Sequence, residues 1–533
     1  MNVKKLTSIT AFIALMLLAA GIRLLAARDA YPACGDSGHF VQHGVALANG
    51  VPGAMSTYWS QGMIAIAAGA TKMDLDPRYA MQVTTLVAGV ALVLLFAGVI
   101  WRLTSSKGLS LVGGLLLATN PTMVQYSITG YSEMPYMALL MAGVYVGLSR
   151  RGNPYVRHGL AGVLIGLSGY FKGLDAAVAA CGYGLYVFWG NSSAVRWDIR
   201  RAVAAPVVAF LVLMPLCLFT FSRTGSFTPG SKGGRSFLAL GADWADSKVC
   251  YAAEGMRLEE RKTSDIIRQI PKRVLTNAWD SVRIFNGQLF MKGMRLGTIW
   301  FGLGIIIVVG SLWRWRVREA LLPFSLLCIQ LGLLWLVFLH DRALAPSLPW
   351  VILLILLAAK DSPLFSSSSP HVRRWVVLSV LIYLVATARY ALNCFSSEFF
   401  WWRYANIEVC AKELKKLGGT DADVVMSYGP ALAVEFNKTN PLKAVEVPYG
   451  AIEQVSEIAD QNHVRFIVVS DAFRSHWPIA RLFDEGVPSP ANWTLREELV
   501  FPEEEWSGSR GHPAERCRIY ERLLMTVTKG VER

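Results

Sequence analysis

Residues 6–27 have the sequence LTSITAFIALMLLAAGIRLLAA, and the short stretch GDSGHF follows at residues 35–40. The first stretch is apolar over about 20 residues, which is long enough to cross a hydrocarbon core of about 30 Å as a helix. The second stretch lies between this run and the next apolar run. We therefore expect it at a membrane surface, as a loop softened by glycine that holds a carboxylate, Asp36, and an imidazole, His39.

The composition of the whole chain is typical of a membrane protein with several spans. Of 533 residues, 53% are hydrophobic and only 17% are charged, against about 25% charged residues in a typical soluble domain. The mean hydropathy is +0.38. Much of the net charge of +14 lies in short loops between apolar runs, where it sets the orientation of spans. This distribution argues against a nucleic-acid partner and favours anionic lipid headgroups and an anionic substrate.

Apolar runs predict about eleven membrane spans within residues 1–392, with the N-terminus in the cytoplasm. Outer loops are expected at residues 28–78 and 222–296, and the first loop is expected to contain interfacial helices at 41–48 and 61–70. An alternative for the first run is a cleaved signal peptide. The predicted spans are 6–27, 79–101, 109–124, 133–148, 159–171, 176–189, 202–221, 297–313, 320–339, 343–359 and 375–392.

Residues 393–533 have the composition of a soluble domain, which the topology places outside the cytoplasm. Alternating strand and helix patterns predict a small α/β fold. Strands are expected at 423–427, 444–447, 465–470, 495–501 and 518–523, and helices at 403–417 and 451–461. The sequence of this region contains no phosphate loop or nucleotide fingerprint.

Two ionisable side chains in the first outer loop are candidates for catalysis. Asp36 is placed to accept a proton from a hydroxyl nucleophile, as a general base must, and His39 to orient it or to contact a substrate. The alternative is a polar loop that happens to hold two ionisable groups. The mostly apolar surroundings of these residues favour the functional interpretation.

Glu133 lies where an outer loop enters the fourth predicted span, in the sequence YSEMPY at residues 131–136. A structural interpretation is a helix start, with Ser132 as the N-cap, a carboxylate in the first turn and Pro135 tolerated early in the helix. The functional interpretation places Glu133 beside Asp36, where it supports the acceptor or a metal ion.

Basic residues on the same face are candidates for holding a phosphate group. Lys172, near Asp175 at the outer end of the fifth span, is either a snorkelling lysine paired with an acid or a phosphate ligand. The hairpin His340-Asp341-Arg342 contains a guanidinium whose planar fork of donors suits phosphate oxygens. The structural alternative is an ordinary hairpin between two spans, in which any polar residues would be suitable.

Asp74 and Asp76 form a D-x-D pair at the end of the first outer loop. Two carboxylates at this spacing are able to hold a hard divalent cation. The alternative is a solvated approach to the second span, ahead of Pro77. The sequence therefore leaves open whether the protein binds a divalent metal ion, and no residue is assigned as a metal ligand.

The order of these features along the chain resembles the GT-C superfamily of glycosyltransferases, which use lipid-phosphate sugars. The sequence Asp36-Ser37-Gly38-His39-Phe40 is similar to the D-E-x-H-F motif of dolichyl-phosphate-mannose protein mannosyltransferases, with Ser37 in place of Glu. The Ser-Glu pair opening the fourth span, the charged residue after the fifth and the hairpin leading into a proline-containing span also fit this layout. Lipid A aminoarabinose transferases share the layout with a different loop motif.

This resemblance implies a glycosyltransferase on the periplasmic face of a bacterial inner membrane. It implies inverting transfer from a polyprenyl-phosphate sugar donor, with Asp36 as catalytic base and Glu133 supporting the acceptor. Arg342 and Lys172 would bind the polyprenyl phosphate, and the C-terminal domain would lie over the same face. Neither the sugar nor the acceptor (protein, glycan or lipid) is specified, and no cofactor is certain.

Two other functions compete with this interpretation. A transporter or flippase of a lipid-linked solute would place ionisable residues near the bilayer midplane and often show repeated halves, whereas the charges here cluster at span ends on one side. A non-catalytic membrane scaffold, with the soluble domain binding a partner, would not need the charged residues that converge on the outer face.

Overall fold

A computed structural model describes most of the helical part and most of the C-terminal sheet. The predicted span 297–313, most of the outer loop 222–296 and the hairpin His340-Asp341-Arg342 lie outside the described residues. The described residues are 3–28, 36–190, 199–230, 275–276, 279, 281, 321–336, 344–361, 381–389, 404–427, 430–447, 452–470, 482, 492–501 and 515–522.

The part of the chain that precedes the sheet is helical wherever it is regular in the described residues. Residues 381–389 are helical as well. The named helices are α1 (Val3–Arg28), α2 (Asp36–Ala48), α3 (Gln61–Lys72), α4 (Pro77–Thr104), α5 (Lys107–Thr119), α6 (Pro121–Ile128), α7 (Glu133–Gly147), α8 (Pro154–Ser168), α9 (Gly173–Gly190), α10 (Ile199–Thr224), α11 (Leu321–Leu336), a 3-10 turn (Ala345–Ser347) and α12 (Leu348–Asp361).

Each predicted span within the described residues coincides with helical structure, but the third span is broken. The break falls at Asn120, whose side-chain oxygen accepts a hydrogen bond of 3.1 Å from the backbone N–H of Met123 and so caps α6. Pro121 follows it, and a residue before proline is disfavoured in the helical region. The predicted span 109–124 therefore becomes α5 and the short helix α6.

Three described helices are long and apolar enough to cross a membrane by length and composition: Ile9–Arg28, Pro77–Thr104 and Ile199–Thr224. Several others, including α5 and α12, are apolar but shorter. The number of eleven spans therefore stays a prediction.

The stretch at residues 36–40 is helical, so its prediction as a loop is wrong. Asp36 begins α2, where its carboxylate lies in the first turn and interacts favourably with the helix dipole. Ser37 and Phe40 are buried, because α2 packs along α3. Gly44 makes this close packing feasible, since an added Cβ would overlap the Cβ of Ala67.

The apolar core of the helical part lies between α1, α4, α5, α7, α8, α9, α10, α11 and α12. Its large buried side chains include Phe96, Tyr136, Tyr183 and Trp350. Hydrocarbon chains of lipids are as apolar as these side chains, so close packing and hydrogen bonds, rather than exclusion from water, hold such helices together.

The C-terminal region is an α/β unit built on a mixed sheet with the strand order β2-β1-β3-β5-β4. The three strands β2, β1 and β3 run parallel, and β5 pairs antiparallel with both β3 and β4. Its elements are α13 (Tyr404–Lys416), β1 (Val424–Ser427), α14 (Pro430–Phe436), β2 (Ala444–Glu446), α15 (Ile452–Gln461), β3 (Val464–Ser470), β4 (Trp493–Phe501) and β5 (Glu515–Arg522). The sequence predicts each of these except α14.

Both faces of the central strand β3 are buried. Phe466 and Val468 contact α13 and α14 on one side, and Ile467 and Val469 contact α15 on the other. A strand covered on both faces has a continuous apolar sequence, which explains why residues 464–470 lack polar alternation.

The helix α14 and the turn after it contact helix α2. Val434 packs against the apolar cluster around Phe40, and the side chain of Gln42 donates a hydrogen bond of 2.8 Å to the carbonyl of Pro441. Arg78, at the start of α4, forms an ion pair with Glu435 of α14. These contacts hold the C-terminal unit against α2, the helix that begins at Asp36.

Glu435→Gln is expected to weaken this contact. The side chains of Arg78 and Glu435 are only 15% and 13% exposed, so losing the carboxylate charge should lower the stability by about 1 kcal/mol. Thermal unfolding of the purified protein measures the change. Glu413→Gln, which removes an ion pair with the exposed Lys416 in the same unit, is the matched control. Equal effects of the two variants would show that the contact does not contribute to stability.

Candidate active site

A buried carboxylate lies at the start of α7. Glu133 is 1% exposed, and its Oε1 lies 3.3 Å from the Nζ of Lys172, which precedes α9. The same Nζ lies 3.4 Å from a carboxylate oxygen of Asp175. The sequence places Lys172 and Asp175 near each other, and the structure adds Glu133 to them. One ammonium group is thus held between two carboxylates.

The structural alternative for Glu133 is only partly correct. Ser132 occupies the N-cap position of α7, but its side chain makes no capping hydrogen bond, and its backbone is already helical. The first turn of α7 is thus anchored by the ion pair of Glu133 with Lys172 rather than by a serine cap.

A second polar chain connects the same region to α11 and the 3-10 turn. The hydroxyl of Tyr136 donates to the carbonyl of Asp175 at 3.2 Å and accepts from Nε2 of Gln330 at 3.3 Å. The hydroxyl of Ser347 donates to Oε1 of Gln330 at 3.2 Å. All three side chains are buried. This chain brings the 3-10 turn at residues 345–347, which follows residues 340–342 closely in the sequence, next to α7.

Helix α2 begins with Asp36 and places His39 against a cluster of aromatic rings. Asp36 and His39 are half-buried. The imidazole of His39 stacks on the indole of Trp59 with centroids 4.3 Å apart and an angle of 13° between the planes, and Tyr58 meets Trp59 edge-on at 4.7 Å. The sequence does not reveal this stacking, because Trp59 is separated from α2 by a turn of irregular backbone.

The turn that holds Lys172 also contacts the segment that follows α2. The carbonyl of Tyr170 accepts a hydrogen bond of 2.8 Å from the backbone N–H of Gly62 and one of 3.3 Å from the hydroxyl of Ser60. Phe171 packs in the apolar cluster that contains Phe40. These contacts join α2, with Asp36 and His39, to the turn that holds the Glu133–Lys172–Asp175 cluster.

In the Asp74 and Asp76 pair, the second carboxylate binds an arginine. Asp76 is the N-cap of α4, and both of its carboxylate oxygens accept hydrogen bonds from the guanidinium of Arg78 at 2.6–3.1 Å. Asp74 is exposed. Within the described residues, no group of three or more His, Cys, Asp or Glu side chains is positioned to hold a metal ion.

The charge on Asp76 depends on its arginine partner. Partial burial on its own would raise the pKa of Asp76, but hydrogen bonds from Arg78 and the attraction of its positive charge outweigh this, and the pKa lies below its ordinary value. Asp76 is therefore a structural carboxylate that stays ionised and couples the start of α4 to Arg78 and thus to Glu435.

Proteins of known structure share this architecture. Neither a protein-family model nor a curated protein matches the sequence. Solved structures do match, and the fold of this chain is similar to that of GT-C membrane glycosyltransferases. The resemblance stated from the sequence motifs is thereby confirmed at the level of the fold.

Two proteins illustrate the match. ArnT from Cupriavidus metallidurans, in a structure bound to undecaprenyl phosphate, has a TM-score of 0.56 and 11% identity, over 96% of this chain and 97% of that chain; its apo structure has a TM-score of 0.54. The oligosaccharyltransferase from Archaeoglobus fulgidus, tethered to an acceptor peptide, has a TM-score of 0.57 and 12% identity, over 88% of this chain and 70% of that chain.

Lys172→Met is expected to destabilise the protein by about 2–3 kcal/mol, because it leaves the buried carboxylate of Glu133 without its cation. This value is at the lower end for a buried pair, since the lysine side chain is 18% exposed. Adding Glu133→Gln to Lys172→Met should recover part of the loss. Thermal or denaturant unfolding of the two single variants and the double variant measures the coupling, with Lys72→Met, at the exposed end of α3, as control. Additive losses would show that the two side chains are not coupled.

The stabilisation from Asp76 is expected to disappear in acid. Since the pKa of Asp76 is lowered in the folded protein, its contribution is present above the ordinary value of 3.8 and is lost as the pH falls through the lower folded value. Asp76→Asn keeps a capping side chain but removes the charge. The difference in unfolding temperature between wild type and Asp76→Asn should shrink from about pH 7 to about pH 3. Asp74→Asn is the control, and a difference that is constant with pH would contradict the assignment.

Proposed function

We propose that the protein is a membrane glycosyltransferase that moves a sugar from a polyprenyl-phosphate donor to an acceptor. The observation that carries the proposal is the fold, which extends over nearly the full length of ArnT in a structure bound to undecaprenyl phosphate. The oligosaccharyltransferase, whose structure holds an acceptor peptide, supports the same class of reaction. The sugar and the acceptor are left unspecified.

Asp36 is proposed as the general base. Its carboxylate is half-buried at the start of α2, where it is held by the packing of α2 on α3 and the aromatic cluster. A base must reach the proton that it removes, and an incompletely buried carboxylate at a helix end satisfies that requirement. We propose that His39, held by stacking on Trp59, contacts the acceptor or orients the base.

The cluster of Glu133, Lys172 and Asp175 is proposed to act on the donor phosphate through its lysine. Glu133 is nearly inaccessible, so its role is to orient the ammonium group of Lys172 rather than to touch the acceptor directly. Asp175 holds the same ammonium group from the other side. Arg342 is proposed as the second phosphate ligand, with His340 and Asp341 as further substrate contacts. The position of residues 345–347 beside α7 supports this proposal.

The proposed reaction is a direct displacement at the anomeric carbon with inversion. Asp36 takes the proton of the acceptor hydroxyl, and the oxygen forms a bond to the anomeric carbon. The bond from this carbon to the phosphate oxygen breaks, and its electron pair stays on the departing polyprenyl phosphate. Fixed cations aimed at that phosphate stabilise the transition state more than the ground state, because the phosphate gains negative charge as the bond breaks.

The proposed location follows the distribution of charge along the sequence. The reaction would take place on the periplasmic face of a bacterial inner membrane, with the N-terminus of the chain in the cytoplasm. The contact between the C-terminal unit and α2 supports a position of that unit over the same face, where it would shape the choice of acceptor.

Asp36→Asn is the direct test of the proposed base. Purified protein is incubated with radiolabelled sugars on polyprenyl phosphate, and release or transfer of the label is measured, since slow donor hydrolysis is readable without a known acceptor. The wild type should turn over, and Asp36→Asn should lose about 100-fold or more in rate while still binding donor. Asp74→Asn, an exposed carboxylate of the same loop, should keep the wild-type rate.

The other outcomes separate the hypotheses. Equal turnover in wild type and Asp36→Asn would refute Asp36 as base but leave the glycosyltransferase assignment standing. Absence of both turnover and donor binding across several sugars would refute the assignment and favour the transporter or scaffold.

A further inference from the structure

Arg23 is a completely buried cation in the first membrane helix. It lies within the candidate span Ile9–Arg28 and is 0% exposed. Charged side chains inside spans are costly, and those that persist usually have a function. Neither the proposed reaction nor the sequence motifs described above give this arginine a role.

The guanidinium of Arg23 connects three helices. Its Nε donates to the hydroxyl of Ser127 on α6 at 3.0 Å. Its Nη1 donates to the carbonyl of Ala118 on α5 and to that of Ala19 on α1, each at 3.1 Å. Within the described part of the chain, Nη2 has no hydrogen-bond partner and Arg23 has no carboxylate beside it. Its interactions are thus directed at backbone and hydroxyl groups, as in a structural clamp.

The hydrogen bonds around Ser127 show which part of the chain Arg23 holds in place. The carbonyl of Ser127 accepts a hydrogen bond of 3.0 Å from Thr85, and that of Ile128 accepts one of 3.0 Å from Gln82. The last turn of α6 is therefore fixed by side chains from α1 and α4. The chain then makes a turn at Gly130, whose φ is +69°, and reaches Glu133 at the start of α7.

The helix α4 leaves space for this arrangement. At Gly89, an added Cβ would overlap the hydroxyl of Ser127 and lie 2.9 Å from the Nε of Arg23. Only a residue without a side chain fits here unless the arginine and the serine move. Arg23 on α1 and Gly89 on α4 thus both lie against the hydroxyl of Ser127.

We infer that Arg23 is a positioning residue for the Glu133–Lys172–Asp175 cluster. It fixes the end of α6 and, through the buried turn at residues 129–132, the place where the carboxylate of Glu133 meets Lys172. Its effect on the reaction rests on the function proposed above, whereas its effect on the turn does not. Loss of the clamp should shift the turn and lower the rate without removing any group that touches the substrate.

Arg23→Met and Gly89→Ala test the inference from two helices. The first removes the donors, and the second keeps the arginine but displaces it. Both are expected to lower kcat by at least about tenfold, with little change in KM for the polyprenyl-phosphate donor and in the amount of folded protein. Arg23→Lys, which keeps the charge and one donor group, should recover part of the rate.

Hydrogen exchange of the backbone supplies a readout that does not depend on turnover. Peptides covering residues 124–135 should exchange faster in Arg23→Met and Gly89→Ala than in wild type. Arg102→Met is the matched control, because Arg102 is a second arginine of a span helix and donates to the carbonyl of Tyr145, near the end of α7 opposite to Glu133. It should leave both kcat and the exchange of these peptides unchanged.

The outcomes are distinguishable from failure of the proposed function. If wild type shows neither turnover nor donor binding with several sugars, the glycosyltransferase proposal fails, while faster exchange at 124–135 still supports the positioning of the turn. Unchanged exchange in these peptides would overturn the positioning role. A second result would also overturn it: each variant is less stable, but its folded fraction keeps the wild-type kcat. Arg23 would then contribute to folding alone.

Discussion

A carboxylate buried in an apolar bundle must have a cation beside it, and this constraint organises the centre of the structure. An uncompensated charge in such surroundings costs several kcal/mol, so the turn that supplies Lys172 must approach the start of α7, where Glu133 is almost completely buried. The neighbours of Lys172 in that turn then have defined partners. Tyr170 bonds to the start of α3, and Phe171 packs in the cluster beneath α2. One buried charge thus sets the relation between three helices and the helix of Asp36.

Polar side chains elsewhere in the bundle mostly satisfy backbone carbonyls rather than one another. Thr85 and Gln82 bind the carbonyls at the end of α6, and Ser110 donates to the carbonyl of Ala97 at 2.6 Å. Such bonds supply specificity in a setting where apolar surfaces alone do not select one packing partner over another. The helices around the proposed site are therefore held in place at their ends and breaks as well as along their faces.

The sequence predicts the architecture well because hydropathy and strand periodicity report local burial. Helices α1, α4 and α10 follow from long apolar runs, and β3 from a short one. The pairing of Glu133 with Lys172 does not follow, since these residues are far apart in sequence and each has an adequate local explanation. The helix at Asp36 is missed because Gly35 and Gly38 suggest a loop, whereas Gly44 in the same helix serves close packing against α3. Arg23 leaves one signal, a single charge in the first apolar run, but its partners cannot be deduced from that run.

The contact between α2 and the C-terminal unit also concerns biosynthesis. Gln42 and its partner Pro441 are separated by 399 positions. A ribosome adding about 5–20 residues per second takes about 20–80 s to make the intervening chain. During that interval α2 has no partner on this side, and the surface that later receives Val434 stays uncovered. The helix that begins at Asp36 therefore reaches its final surroundings only after residues 434–441 have been made, and a product that ends before them would lack part of the packing around the proposed base.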